Sequence, residues 1–132
     1  MTNTPTAPVP IQDVDYPARH AYQQSCIGQA DPLGQSICQI GAIPANTEFV
    51  IQTLSASGSG ALPIGGITID MYNGTTQASI YFPVTQQTPN YWAATQAVTL
   101  YAGPNAVPTC NSQSSPGGFV ACTFVGYLVT LQ

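Results

Sequence analysis

The chain has 132 residues and a formal net charge of −4, and only 5% of its residues are charged, against about 25% in typical soluble proteins. It has one arginine, no lysine and one histidine, so no basic patch is expected for nucleic acid or for an anionic membrane surface. The apolar content of 44% argues against intrinsic disorder, and the absence of any run of about 20 apolar residues argues against a membrane span.

The N-terminal segment is rich in threonine and proline. Residues 1–15 are therefore expected to form an extended arm, and residues 16–132 are expected to form one β-sandwich domain. Alternation of side-chain character over residues 11–17 favours a short edge strand, which the proline at its end would terminate.

Most of the remaining chain consists of short segments with strand character, separated by turn signals and without a convincing helical pattern. Asp31-Pro32-Leu33-Gly34 predicts a turn that joins the first two strands into a hairpin, Asn73-Gly74 predicts a second hairpin, and residues 56–60 (ASGSG) predict a flexible loop. The pattern indicates an all-β fold, an antiparallel β-sandwich that is jelly-roll-like and has about eight or nine strands. The predicted strands are residues 19–27, 35–43, 47–55, 66–72, 75–84, 94–102, 106–113 and 118–131.

The four cysteines form two units of equal spacing, Cys26 with Cys38 and Cys110 with Cys122, each centred on a proline. In an antiparallel hairpin, residues equidistant from the turn face each other with Cα atoms about 4.5–5.5 Å apart, which a disulfide can span. The spacing therefore predicts two local disulfides, one in each of two hairpins. A zinc site is not expected, because the chain has no C-x-x-C motif and only one histidine.

Two disulfides indicate an oxidising compartment and hence an exported protein. The N-terminus has neither a basic n-region nor an apolar h-region, so no signal peptide is visible. We therefore expect Met1 to begin an expressed form of the mature, secreted chain. Export by another route, or residence in the cytosol with reduced cysteines, is the alternative.

Several predicted strands are apolar on both faces. In the last strand, Phe119 and Val125 belong to one face, and Val120 and Phe124 belong to the other. An antiparallel sheet with one face in water alternates apolar and polar residues instead. The outer faces are therefore expected to be covered by loops, by the arm or by another subunit. The shortage of charges that would resist edge pairing favours a second copy of the chain, which predicts a homo-oligomer.

Four segments are similar to the skeleton of small, uncharacterised exported bacterial proteins: DVDYPARHAYQQS (13–25), IPANTEFVIQTLSAS (43–57), QAVTLYAGP (96–104) and GYLVTLQ (126–132). The resemblance implies secretion and an all-β domain, and it implies no catalytic residue. The ending with Phe124, Gly126 and Tyr127 also resembles the last strand of the C1q and tumour-necrosis-factor jelly rolls, which are trimers.

Catalytic and metal-binding patterns are weak. His20, the only histidine, lies beside the only arginine, and no G-x-S-x-G elbow exists to supply a nucleophile. Glu48 and Asp70 could face each other as a glycosidase pair, but solvated outward positions explain both. Asp13 and Asp15 share one side of a predicted strand without a third acid to complete a calcium site. We expect no enzyme activity, no cofactor and no metal.

Sugar binding is the better supported ligand hypothesis. Tyr91 and Trp92 follow a predicted turn, and Tyr72 and Asn73 border a predicted hairpin turn. Aromatic rings at these positions would stack on a neutral pyranose while amide and hydroxyl groups supply hydrogen bonds. The alternative for Trp92 is a place in the core or in an interface, because aromatic side chains bury large areas.

The sequence thus predicts a secreted, non-catalytic β-sandwich that serves as a structural or self-assembling module, as the subunit of an extracellular oligomer, appendage or coat. Its expected partner is a further copy of itself. A lectin-like carbohydrate-binding domain that uses Trp92, Tyr91, Tyr72 and Asn73 is the alternative.

Overall fold

A computed structural model describes residues 19–60, 67–73, 76–113 and 117–131. These ranges contain nine β-strands and no helix, which confirms the all-β prediction. They therefore include no helix that is long and apolar enough to cross a membrane. The predicted arm and the predicted strand over residues 11–17 lie outside the described residues. The strands are β1 (Arg19–Gln29), β2 (Gln35–Gln39), β3 (Thr47–Ser59), β4 (Ile67–Asn73), β5 (Thr76–Phe82), β6 (Thr85–Thr88), β7 (Tyr91–Ala102), β8 (Thr109–Gln113) and β9 (Phe119–Thr130).

The strands form two antiparallel sheets that pack face to face. The five-stranded sheet has the order β1-β9-β3-β7-β6, and the four-stranded sheet has the order β2-β8-β4-β5. Successive strands cross between the sheets everywhere except at the β4–β5 and β6–β7 pairs. Without the short edge strand β6, this is the strand order of an eight-stranded jelly roll, so the predicted sandwich architecture is confirmed.

The two hairpins predicted around the cysteine pairs, β1 with β2 and β8 with β9, are wrong, although the turn between β1 and β2 forms. The Asp31 carboxylate accepts hydrogen bonds from the backbone N–H groups of Leu33 and Gln35, both at 2.9 Å. Beyond this turn, only the isolated bridge between Ala30 and Ser36 pairs the two chain segments, and then β1 and β2 enter different sheets. β8 and β9 likewise enter different sheets. A turn signal specifies a chain reversal but does not specify which sheet receives the next strand.

The Asn73-Gly74 signal is the one that does produce a paired hairpin. β4 and β5 pair along their whole length, and Asn73 lies opposite Thr76. The two residues that connect these strands lie outside the described ranges. A two-residue connection leaves too little chain to reach the other sheet, so both strands remain in one sheet.

Both predicted disulfides are present, but they join the two sheets rather than the strands of a hairpin. Cys26–Cys38 connects β1 to β2, and Cys110–Cys122 connects β8 to β9, with Cα–Cα distances of 5.6 and 6.6 Å. Within the sheets, Cys26 is the register partner of Cys122, and Cys38 is that of Cys110. The four cysteines therefore form a single two-by-two arrangement between the sheets, which we call the cysteine layer.

The core between the sheets is aromatic and aliphatic. Its largest side chains, Phe49, Phe82, Trp92 and Phe124, are at most 1% exposed. The ring of Tyr22 meets Phe49 edge-on, with ring centroids 4.9 Å apart. Burial of these rings supplies much of the hydrophobic stabilisation of a domain of this size.

The predicted flexible loop over residues 56–60 is also wrong, because β3 continues through it to Ser59. Gly58 is required there by a close approach rather than by flexibility. A Cβ atom at this position would lie 2.1 Å from Cζ2 of Trp92 and 2.3 Å from the carbonyl oxygen of Phe119. Glycine in a strand commonly marks such an approach, and here it lets the indole ring lie directly against the backbone.

Candidate functional site

Most of the outer face of the five-stranded sheet is uncharged in the part of the chain that the structure describes. It is formed by the residues that alternate with the core-facing residues of β1, β9, β3 and β7. At one end of the sheet the alternation continues to Arg19 and Glu48, which are both register partners of Val129. The other residues of this surface carry no charge, and we call this set the uncharged face. Its members are Ala21, Gln23, Ser25, Ile27, Gln29, Phe119, Ala121, Thr123, Val125, Tyr127, Val50, Thr53, Ser55, Ser57, Ser59, Tyr91, Ala93, Thr95, Ala97 and Tyr101.

A row of four hydroxyl groups crosses the middle of the uncharged face. Strand register places Ser25, Thr123, Ser55 and Thr95 side by side on four neighbouring strands. The hydroxyls of Ser25 and Thr123 are 3.0 Å apart, and those of Ser55 and Thr95 are 3.2 Å apart. A hydroxyl offers one donor and two acceptor positions, so each of these groups keeps capacity for a bond to a partner molecule.

Beside this row lies a shallow groove of about 220 Å³. Its polar lining comes from Ser55, Ser57, Thr95 and Thr123, and its end is formed by Tyr91. The remaining lining residues are alanines. Their small side chains leave the groove open. Drug-sized pockets occupy roughly 300–1,000 Å³, so the groove matches a small group such as a single sugar ring or a side chain of a partner.

Large exposed side chains surround the groove on the same face. Ile27 is 64% exposed, Tyr101 56%, Tyr91 41% and Val125 36%. The other four large exposed hydrophobic residues of the described chain, Leu33, Ile37, Tyr81 and Leu131, lie outside the uncharged face. Exposed apolar residues are common on protein surfaces, and the four on this face indicate a contact surface because they share it with the groove. β9 lies between β1 and β3. One of its faces packs in the core and the other belongs to the uncharged face, which explains in part why both faces are apolar.

The sequence-predicted sugar site does not come together as one unit. Trp92 is 0% exposed, which corrects its assignment as a stacking residue, because a fully buried ring cannot contact a sugar. Tyr91 does line the groove, since adjacent residues of a strand point to opposite faces. Tyr72 and Asn73 belong to β4 in the other sheet, and their side chains lie outside what the structure describes.

The carboxylates proposed as a glycosidase pair lie on opposite sides of the sandwich, which corrects the expectation that they could face each other. Glu48 precedes core-facing Phe49 and so belongs to the outer side of the five-stranded sheet. Asp70 lies on the outer side of the four-stranded sheet, where its oxygens accept hydrogen bonds from Ser79 Oγ at 2.6 Å and Asn111 Nδ2 at 2.5 Å. With the core between them, these two groups cannot flank one bond of a substrate.

The remaining catalytic candidate is separated from the groove. His20 is exposed near the start of the edge strand β1, and its register partner is Leu128. The hydroxyl row and the groove went unrecognised in the sequence because their members come from four distant strands. Only the excess of serine, threonine and alanine at alternate positions of β3 and β7 hinted at them.

No protein-family model matches the chain, and no curated protein matches it. Among solved structures, the chain is similar to a protein in the virus-like particle of the extra small virus of the giant freshwater prawn Macrobrachium rosenbergii. The TM-score is 0.40 at 14% identity, with 100% of this chain and 95% of that chain covered.

Two further similarities are more distant. A family two carbohydrate esterase from Cellvibrio japonicus gives a TM-score of 0.27 at 15% identity, over 86% of this chain and 36% of that one. An uncharacterized conserved protein with a double-stranded beta-helix domain from Klebsiella pneumoniae gives 0.20 at 11% identity, over 76% and 77%. Similarities at this level do not bear on function.

Proposed function

We propose that the protein is a secreted, non-catalytic β-sandwich module that assembles with further copies of itself, and that the uncharged face is its contact surface. The observation that carries the proposal is the composition of that face. The uncharged face has no charged member, and the charged residues Arg19 and Glu48 lie only at one end of the same sheet. The face carries four large exposed apolar or aromatic side chains, those of Ile27, Tyr91, Tyr101 and Val125. Such a surface is suited to contact with protein.

The size of the face agrees with this function. Four strands spaced about 4.8 Å apart, over about nine residues of 3.3 Å each, cover roughly 600 Å² in projection. Stable protein interfaces bury about 800 Å² of accessible surface on each partner, which a sheet surface of this projected area supplies once its side chains are included. The face is therefore large enough for a specific contact without help from the loops.

The chemistry of the face also favours a second copy. Stacking two uncharged faces places no charged side chain at the centre of the contact, so the desolvation penalty that buried ion pairs incur does not arise there. The serine, threonine and alanine side chains are small, which permits close sheet-on-sheet packing at about 10 Å. The hydroxyl row offers both donors and acceptors, so a copy related by a two-fold axis is self-complementary.

Secretion is supported by the two disulfides. The described residues contain no free cysteine. Such pairing is compatible with an oxidising extracellular environment, where disulfides persist.

We expect Ile27→Lys to weaken self-association at least tenfold. Ile27 is 64% exposed on the uncharged face, and burying an unpaired ammonium group in an interface costs several kcal/mol, more than the 1.4 kcal/mol of a tenfold effect. Ile37→Lys is the matched control, because Ile37 is 48% exposed on the four-stranded sheet. Sedimentation equilibrium over a wide concentration range measures both. A monomeric wild-type protein, or equal effects of the two substitutions, would contradict the proposal.

A neutral saccharide is the second candidate partner, favoured by the position of Tyr91 at the end of a hydroxyl-lined groove. An aromatic ring binds the apolar face of a sugar, and the serine and threonine hydroxyls match the sugar's own donors and acceptors. No charge is needed for such a ligand, in keeping with the lining of the groove.

Under this second hypothesis, Tyr91→Ala is expected to lower saccharide affinity at least tenfold. Tyr81→Ala removes an equally large and more exposed ring, 72% exposed on the other sheet, and should leave binding unchanged. A glycan array identifies the ligand, and titration calorimetry then compares the variants. An array without hits, or equal binding by the Tyr91 variant and the wild type, would exclude the groove as a sugar site.

A further inference from the structure

Strand β1 lies at one edge of the five-stranded sheet, and none of the described strands pairs along its other side over residues 21–27. Beyond these residues β2 closes the edge. The isolated bridge joins Ala30 to Ser36, and a Cβ added to Gly28 would lie 2.1 Å from the carbonyl oxygen of Ile37. We therefore call residues 21–27 the open edge.

The backbone hydrogen bonds of β1 determine which groups face the open edge. The N–H of Ala30 donates to the carbonyl oxygen of Gly118 at 2.8 Å, and these two residues continue the register of Gln29 with Phe119. In an antiparallel pair, residues that exchange such bonds alternate with residues whose backbone groups point away from the partner strand. Even-numbered residues of β1 therefore bond to β9. The residues that direct their N–H and C=O groups to the open edge are Ala21, Gln23, Ser25 and Ile27, which are all exposed.

The open edge lacks the features by which proteins block edge pairing, which include short length, proline, lysine and bulges. β1 has eleven residues, contains neither proline nor lysine, and keeps an unbroken register with β9. Its basic residues, Arg19 and His20, precede the open edge. By contrast, β6 at the opposite edge of the same sheet has four residues and a bulge.

We propose that two copies of the protein pair antiparallel through the open edge of β1, about a two-fold axis at Gln24. This axis places Gln23 opposite Ser25 of the partner subunit, and Ala21 opposite Ile27 of the partner subunit. Every residue in these pairs directs its backbone groups to the edge, so each pair exchanges two backbone hydrogen bonds. The contact is isologous, and it joins two five-stranded sheets into one continuous sheet.

The side chains agree with this register. On the outer side of the sheet, the small side chain of Ala21 faces Ile27 of the partner subunit, a residue that is 64% exposed in the single chain. On the inner side, Gln24 lies opposite Gln24 of the partner subunit. Gln24 Nε2 donates to the Tyr22 hydroxyl at 3.0 Å. An amide has two donors and a carbonyl acceptor, so its second N–H and its oxygen are suited to the partner's amide.

Edge pairing is a second contact, separate from the stacking of uncharged faces, and neither contact requires the other. Pairing uses backbone groups in the plane of the sheet, whereas stacking uses side chains that stand perpendicular to it. A chain that makes both contacts extends an assembly beyond a dimer, because the two contacts have different symmetry axes.

Amide hydrogen exchange followed by NMR tests the proposal on the full chain, at concentrations at which sedimentation shows monomers and at which it shows assemblies. In the monomer, the amides of Gln24 and Cys26 should be protected, and those of Gln23 and Ser25 should exchange rapidly. In the assembly, exchange at Gln23 and Ser25 should slow at least tenfold. Rapid exchange at both residues in the assembly, or equal protection in the monomer, would overturn the proposal.

Substitutions separate this contact from the stacking of faces. Ser25→Pro removes one edge-facing N–H from each copy and should weaken edge pairing at least tenfold, although proline at such a position is compatible with an edge strand. Gln87→Pro is the matched control, because Gln87 lies at the bulge of β6 and has no register partner in β7. Tyr101→Lys introduces a charge on the uncharged face away from β1, so it should weaken stacking and leave the slow exchange at Gln23 and Ser25 intact.

Circular dichroism establishes whether the proline variants are folded, and if Ser25→Pro is unfolded the exchange rates of the wild-type protein decide. Equal association by a folded Ser25→Pro variant and the wild type, an equal loss with Gln87→Pro, or rapid exchange at Ser25 in Tyr101→Lys would each contradict edge pairing as a separate contact. Failure of stacking alone would leave the slow exchange at Ser25 unchanged.

Discussion

Reduction of either disulfide alone is expected to lower the free energy of unfolding by about 3 kcal/mol, and reduction of both by about 6 kcal/mol. Each bond closes a loop between cysteines twelve residues apart. Breaking it restores loop entropy to the unfolded chain. The two loops, residues 26–38 and 110–122, do not overlap in the sequence, so each bond restricts the unfolded chain independently and the two effects are expected to add.

A loss of this size is a large part of the 5–15 kcal/mol that stabilises a typical domain. Urea denaturation with and without a reductant measures it. The paired substitutions Cys26→Ala with Cys38→Ala, and Cys110→Ala with Cys122→Ala, give the separate contributions. Intact mass should rise by four hydrogens on reduction. An unchanged mass together with an unchanged urea midpoint would contradict the two disulfides.

The second large effect is expected where Trp92 packs against Gly58. Trp92→Ala should lower the free energy of unfolding by about 3–5 kcal/mol, the usual cost of deleting a buried aromatic side chain. Gly58→Ala should cost about 1–3 kcal/mol or more by overpacking, because the added Cβ would lie 2.1 Å from the indole ring and 2.3 Å from a backbone oxygen. Thermal unfolding followed by circular dichroism measures both variants.

Two further variants separate the contact from general effects of the substitutions. Gly41→Ala is the control for glycine, because an added Cβ at that position meets nothing within 4 Å, and it should leave stability within about 0.5 kcal/mol. In the Trp92→Ala background, Gly58→Ala should cost less than in the wild type, although the backbone oxygen still opposes it. Equal costs in both backgrounds would show that the ring does not restrict Gly58.

Local chemistry explains which predictions succeeded. The turn that follows β1 forms because an aspartate carboxylate accepts two backbone N–H bonds and Gly34 adopts a φ of +87°, conditions that residues 31–34 satisfy by themselves. The β4–β5 pairing follows the local Asn73-Gly74 signal. The disulfide pairs were also predictable, because each pair spans a short segment with a chain reversal.

The predictions that failed depended on distant parts of the chain. Residues 56–60 have the composition of a loop, yet β3 continues to Ser59 beside a tryptophan more than thirty residues away. Trp92 has the sequence context of a surface loop, yet it begins a strand that directs it inward. Alternation indicates that two neighbours face opposite ways, but only packing against the other sheet determines which of them is buried.

The sequence by itself determined the all-β class, most of the strands, the turn at residues 31–34, the pairing of β4 with β5, the cysteine pairing and the scarcity of charge. All of these depend on a few neighbouring residues or on composition. Only the tertiary structure decided that paired cysteines join two sheets, that four hydroxyls align across four strands and that Tyr91, not Trp92, reaches the surface. These features arise from strand order and register, which are set by simultaneous burial of many side chains and are therefore not contained in any single segment.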